Sequence, residues 1–277
     1  MYSGSTLTRY SGRIMGAHQK IDRIARRHMM QIVPNGQKFP GIRTILHFEG
    51  KNGPDGIKRK SPAKDEPWHF YDPFDDTDTR LETIIQSHYD QLMVQLSRGN
   101  TEKAGFEAAW LAHALVDGLT PAHHYPYEDK LAELRGGEAN ETRNSIKNKI
   151  VIKGNTAPET LLNNWKMWGA KGLMSTHGYF EIGVAAIMAP LNFSDAAPNE
   201  ADMRLVRKIG IVNLFKRRSR EIAELHMYRE FYEHGWTSRL AFQVRHSLAP
   251  MAINTVTLAW YAACLEASHA EKSYASN

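Results

Sequence analysis

Histidines and carboxylates at helical spacing are the chemistry-bearing feature of this sequence. In Trp110-Leu-Ala-His113-Ala-Leu-Val-Asp117-Gly-Leu-Thr-Pro-Ala-His123, His113 and Asp117 stand four positions apart. On a helix that spacing puts both side chains on one face, about one turn from each other. Phe106 and Trp110 extend the same face, so it points inward. A carboxylate on an inward, apolar face is costly unless it is paired or metal-bound. Pro121 stops the helix and His123 follows at the turn, so ligand-type side chains converge at one helix end.

Three other segments offer the same residue types. His177 and Glu181 repeat the four-residue spacing on a second helix. Trp68-His69-Phe70-Tyr71-Asp72-Pro73 lies in a loop-rich region, with Asp55 upstream after Gly53-Pro54. His18 sits on the first helix. Taken singly, each has a plain default: an ion pair, a cap, an aromatic turn, a satisfied core histidine. Together, in a chain with 13 histidines, they supply the imidazole and carboxylate donors that suit zinc. A helical bundle can bring such donors from several helices into one core site.

The elements that must position these residues read almost entirely as helix. Ile14, His18, Ile21, Ala25 and His28 fall on one face and predict a helix over about 12–30. Residues 33–76 are rich in proline and glycine and read as a long functional loop. Thr79 and Glu82 form a capping-box pattern ahead of an amphipathic helix bearing Leu81, Ile84, Ile85, His88, Leu92 and Leu96. Gly99-Asn100 ends it, and another helix spans about 101–118. Residues 124–157 are turn-rich, with a short helix near 140–149. Pro158-Glu159-Thr160 opens a further helix, 173–188 is another, and 199–267 is nearly all helix with a break at Pro250. Only Ile150 to Ile152 looks extended. The expected fold is all-α: a single-domain multi-helix bundle over residues 1–277, with an insertion at about 124–170.

Composition narrows the partners. The net charge is +5 and the pI about 9.2, which suits an anionic partner such as a phosphate ester, nucleic acid or acidic membrane. The lone Cys264 cannot form an internal disulfide and reads as a small buried hydrophobe. No apolar run approaches the roughly 20 residues of a membrane span. Residues 1–16 carry Arg9 and Arg13 without a long apolar core, so the sequence gives no secretory signal and a cytoplasmic reading is slightly favoured. The cations of 204–220 could lie on an anionic membrane or track a phosphate backbone, a solvated helix face being the default. Trp165 and Trp168 read as interfacial anchors or, by default, as helix core.

The ordered set resembles the bacterial zinc-dependent phospholipase C family, whose wider fold includes single-strand-specific nucleases. The resemblance runs from His18 through Asp55, His69 within His-Phe-Tyr-Asp-Pro, the His113–Asp117–His123 segment, and His177–Glu181. It implies two or three zinc ions: Asp55, His69, His113 and Asp117 at one; Asp117 and His18 at a second; His123, His177 and Glu181 at a third. His123 is chosen over His124 on spacing. Secreted relatives complete the second site with an N-terminal tryptophan, which this chain lacks before Trp68. The resemblance implies a phosphodiesterase using a metal-activated water, with Asp55 as ligand and candidate general base. A phospholipid headgroup is the first substrate expectation, and Phe70 and Tyr71 could grip a quaternary ammonium or stack a base. A nuclease or nucleotidase on the same cluster, or a non-catalytic zinc-stabilised binding protein, are the alternatives.

Overall fold

A computed structural model describes residue 1, residues 16–34 and residues 36–275. Among these residues the fold is all-helical and contains no strand. The first helix, α1 (Ala17–Ile32), buries His18, Ile21, Ala25 and His28 as the periodicity predicts, while Ile14 lies outside the described residues. Four further long helices follow: α4 (Arg80–Ser97), α5 (Thr101–Gly118), α9 (Leu173–Met188) and α10 (Glu200–Ala223). The last, α13 (Ala249–Ala275), runs through the centre, packed on α1, α4, α5 and α10.

Small residues let these helices close on each other. Ala104, Ala108, Ala109 and Ala112 of α5 are buried, and Trp260 of α13 reaches across to donate its indole N–H to the Ala108 carbonyl at 3.0 Å. Gly118 ends α5 against Phe215 of α10; a Cβ there would meet that ring at 2.4 Å. This close approach holds the end of α5, and so Asp117, against the rest of the bundle. The 32-residue stretch Ser238–His269 is long and apolar enough to cross a membrane, but 78% of its most apolar window is buried inside the protein. It serves as the core helix.

Several expectations are corrected. The 33–76 region is not one loop: α2 (Ile42–His47), α3 (Pro54–Lys60) and single turns at Gly50–Asn52 and Ala63–Asp65 divide it. Pro54 opens α3 at a first-turn position where its missing N–H costs nothing. The capping box at α4 does not form, because Thr79 makes no side-chain cap and Glu82 instead accepts from the Tyr71 hydroxyl at 2.9 Å. Ile150 to Ile152 form no strand; Ile150 closes a short helix. Pro250 does not break the chain. The short helix α12 (Ser238–Gln243) leads into a wide π turn at Val244–Leu248, and helix continues through Pro250. A proline ring would crowd the carbonyl four residues back in a regular helix, and the wider turn relieves it.

The 124–170 segment folds as α6 (Tyr127–Leu134), α7 (Ile146–Ile150) and α8 (Ala157–Trp168). It closes over a small apolar cluster of Phe70, Tyr127, Leu131, Ile152 and Met167, separate from the main core. Phe70 follows His69 directly, so the insertion buttresses the loop that carries that histidine.

Candidate metal centre

All eight sequence-predicted donors meet in one region. His18 comes from α1, Asp55 from α3, His69 from the following loop, and His113 and Asp117 from the last two turns of α5. His123 stands on the turn Pro121–His124, and His177 and Glu181 on α9. Three groups offer ligand atoms that lie within 4.8 Å of one another: His18, His113 and Asp117; Asp55, His69 and His113; His123, His177 and Glu181. His124 turns away, its Nε2 donating to the Gly118 carbonyl at 2.8 Å.

Asp117 is the hub, because its two oxygens serve different neighbours. Oδ1 lies 3.2 Å from His18 Nε2, and Oδ2 lies 2.6 Å from His69 Nδ1 and 3.0 Å from His113 Nε2. The i,i+4 geometry of α5 sets the last contact, and Gly118 fixes the helix end. Glu181 Oε1 faces His123 Nε2 at 2.9 Å and His177 Nε2 at 3.4 Å.

The sequence reading missed other groups. The Met1 amino group lies 3.2 Å from Asp117 Oδ1, 3.2 Å from Glu181 Oε1 and 3.1 Å from Thr120 Oγ1. Burial opposes its charge, but Glu181, Asp117 and Asp55 together hold its pKa above the ordinary value. Glu49 is also buried and accepts from His113 Nδ1 at 3.0 Å. Asp22, one turn beyond His18, is buried nearby; burial and the Glu49 charge push its carboxyl well above the usual range. No spacing signal marks Glu49, which stands alone between Phe48 and Gly50.

The electrostatics favour a cation. Burial, helped by Lys58, pushes His69 down to about 4 despite its contact with Asp117. Burial likewise pushes His123 down to about 4, so both rings are neutral near pH 7. His123 Nδ1 donates to the His69 carbonyl at 2.7 Å, and that bond uses the neutral ring's single proton. Its Nε2 then turns a lone pair toward a Glu181 oxygen only 2.9 Å away. Glu181 stays ionised: burial opposes it, but the Met1 amine and His177 draw its pKa well below the ordinary value. Two electron-rich atoms at that distance need a proton or a metal ion between them, and burial works against the proton. Nε2 of His69 is also buried without a hydrogen bond, while Nε2 of His18 and of His113 meet only Asp117, in contacts that lack hydrogen-bond geometry. Buried polar atoms without partners are rare in folded proteins and often mark a missing ion or water. The donors therefore fit a metal ion. His113 differs. Burial disfavours its charge, but Asp117 and Glu49 outweigh this and raise its pKa well above 6.5. A proton competes with a metal there.

Glu49 holds His113 from behind through Nδ1, as carboxylates behind metal-bound histidines commonly do. Glu49→Ala is expected to weaken metal affinity about 10- to 100-fold. Glu49→Gln, which still accepts the hydrogen bond, should lose less. Competition against a chromogenic chelator measures both, and equal affinity in Glu49→Ala and the unaltered protein would remove Glu49 from this role.

The cleft over the centre holds about 330 Å³ and is lined in part by Met1, Asp55, His69, His123, His177 and Glu181. Lys58, Arg59, Arg143 and Lys149 stand on its walls. Arg143 donates to the Asn140 carbonyl, and Lys149 pairs with Glu66. Lys58 and Arg59 lie three and four positions beyond Asp55 on α3, on the same face. Tyr71 does not reach the cleft: it is buried, with its ring on Phe215. Phe70 has its ring stacked on Tyr127 at 5.2 Å, and the Lys58 ammonium 5.2 Å from its centroid.

Five of the seven cations in the basic run of 204–220 have partners within the chain. Arg204 pairs with Glu200, Lys216 with Glu82, Arg217 with Glu221 and Arg220 with Asp76. Buried Arg218 donates to Thr255. No family model matches this chain, and no curated protein and no solved structure is significantly similar to it.

Proposed function

We propose that the protein is a metal-dependent hydrolase of phosphate esters, similar in chemistry to the zinc-dependent phospholipase C family. The observation that carries this reading is the contact of buried His123 with Glu181: Nδ1 donates to the His69 carbonyl, burial pushes the ring down to about 4, and Nε2 lies 2.9 Å from a Glu181 oxygen. The nitrogen and oxygen donors suit zinc. Asp55, His69 and His113, with Asp117, would hold one ion; His18 and Asp117 a second; His123, His177 and Glu181 a third. The Met1 amine stands beside Asp117 and Glu181, where the resemblance calls for an N-terminal amino group.

Bound zinc supplies Lewis-acid charge and lowers the pKa of a bound water to about 7. The chain's own residues orient and neutralise. Asp117, whose two oxygens face different histidines, would serve both of the first two positions. Asp55 is the more open carboxylate, with 31% of its side chain exposed, so it is placed to take a proton from an attacking water. Lys58 and Arg59 offer charge to the substrate's phosphate.

Those cations also shape the choice of ester. Lys58 holds one approach to the Phe70 ring and Tyr127 stacks against it, so Phe70 is poorly placed to receive a choline headgroup. A second cation in the cleft meets repulsion on the order of 1–2 kcal/mol. Diesters with neutral or anionic headgroups should therefore exceed choline esters in kcat/KM by about tenfold, and Lys58→Gln should narrow the gap. Equal values for a choline and a glycerol phosphodiester would overturn this preference. The same cations favour the second reading, a nuclease or nucleotidase, which single-stranded oligonucleotide in the same assay tests.

The primary test is elemental analysis of protein purified without chelator or metal-binding tag, paired with hydrolysis of bis(p-nitrophenyl) phosphate. Two or three zinc ions per chain and chelator-sensitive turnover are expected. Folded protein that neither carries nor takes up zinc would sink the proposal. Bound zinc with no turnover of any phosphate ester would leave a zinc-stabilised binding protein.

A further inference from the structure

The insertion carries an apolar surface that the fold leaves uncovered. Leu161, Leu162 and Trp165 of α8 are 74%, 52% and 68% exposed, and Trp168 is 42% exposed. Residues 161, 165 and 168 repeat at helical spacing and form one stripe, while Met167 turns inward to the small core. Ile146 and Ile150 of α7 are 59% and 50% exposed. The Trp168 indole donates to the Ile150 carbonyl at 2.7 Å, which joins the two helices into one surface. Trp165 and Trp168 are thus not helix core. Large apolar patches on a soluble surface mark interaction sites.

Charge identifies the partner. Residues 143–175 contain six cations, Arg143, Lys147, Lys149, Lys153, Lys166 and Lys171, against the single carboxylate Glu159. That excess matches the net +5 of the whole chain. Lys147, Lys153, Lys166 and Lys171 are exposed. Exposed tryptophan and leucine flanked by lysine fit the interfacial zone of an anionic bilayer, where indole rings sit at headgroup level and lysines meet acidic lipids. Ile150 and Trp168 also line the cleft over the candidate metal centre, so the surface borders its mouth.

We propose that the α7–α8 surface docks the protein on an anionic lipid membrane, with the mouth of the cleft turned toward the headgroups. Leucine and tryptophan enter the interface, and the lysines select acidic lipid. The docking does not depend on the hydrolytic reading, since a binding protein with this surface would dock as well.

Sedimentation of the full chain with sucrose-loaded vesicles tests it, in the absence of any substrate assay. Vesicles of phosphatidylcholine with 30% phosphatidylserine, chosen at roughly the acidic content of a cytoplasmic leaflet, should bind at least about tenfold more protein than phosphatidylcholine alone. Leu161→Ser with Trp165→Ala should cut the partition coefficient by about tenfold or more. Lys153→Glu with Lys166→Glu should abolish the preference for acidic lipid. These side chains are exposed, and circular dichroism of each variant against the unaltered protein checks that the fold is kept. Trp165 fluorescence, isolated by difference from Trp165→Phe, should shift to the blue on acidic vesicles. Failure of the unaltered protein to bind acidic vesicles overturns the proposal. So does undiminished binding by the Leu161/Trp165 variant, or its restoration of a monomer from a dimer with no effect on vesicles, which assigns the surface to a second copy of the chain.

Discussion

Asp117→Asn is expected to lower phosphodiester turnover by at least about 100-fold and to remove more than one metal ion per chain. The size follows from the placement of its oxygens. Oδ1 faces His18 and the Met1 amine, while Oδ2 faces His69 and His113. Asparagine keeps the volume but replaces one oxygen with an NH2 group that cannot ligate. It also removes the negative charge that offsets the metal ions and the Met1 amine. Elemental analysis and turnover of the same preparation measure the two effects together. Retention of full metal content with near-normal turnover would exclude Asp117 as the shared ligand, and with it the arrangement of the first two metal positions. Loss of metal with the fold retained would separate a ligand role from a folding role.

The centre was partly legible in sequence because α-helical periodicity alone decides two of its pairs. His113 with Asp117 and His177 with Glu181 both sit one turn apart, and α5 and α9 run as the pattern predicts. The all-helical class was legible in part for the same reason, because apolar residues recur at helical spacing along α1 and α4. Glu49 was not legible, because it reaches His113 through a loop and no local pattern encodes a tertiary hydrogen bond. The same holds for the Met1 amine, which meets Asp117 across 116 residues of chain. Thr79 and Glu82 misled because the motif competes with tertiary partners: Tyr71 and Lys216 claim the Glu82 carboxylate. The tryptophans of α8 misled for another reason. Hydrophobicity predicts burial only where a partner surface exists, and α8 packs its Met167 face inward while its other apolar stripe meets solvent.

Burial and charge together explain why these residues are tolerable in a core. Asp22, Glu49, Asp117, His18, His69 and His113 are all nearly inaccessible. An unpaired charge in such a place costs several kcal/mol. The outer groups are met by shifted proton affinity: burial and Glu49 push the Asp22 carboxyl well above its usual range, and Asp117 and Glu49 raise His113 against burial. The protein has no such remedy for His69 and His123, which burial keeps neutral, or for His69 Nε2, which has no hydrogen-bond partner. A cation would satisfy these groups at once, and metal binding and core stability would then be one property.

Chelation should therefore lower the melting temperature by roughly 10 °C, and added zinc should restore it. A ligand held at 1,000 times its Kd contributes about 4 kcal/mol, and each kcal/mol moves a chain of this size by about 2–4 °C. The metal-free protein should also become acid-sensitive. His69, His123 and His124 have folded pKa values near 4 against 6.5 when exposed. As pH falls from 6.5 toward 4 the unfolded chain takes up protons at these rings before the folded chain does, so stability falls with pH across that window. His113 works in the opposite sense: its raised pKa contributes stability below 6.5 that is lost as pH rises through the folded value. Asp22, whose carboxyl burial holds well above 3.8, also gains stability as pH falls toward that value. Three rings against these two groups leave a net loss in acid. Calorimetry of metal-free protein between pH 4 and 6.5 measures the slope. A flat profile would mean that these histidines are not held neutral in the fold. A chelator-treated protein melting at its original temperature would mean that the cluster closes on itself without a metal.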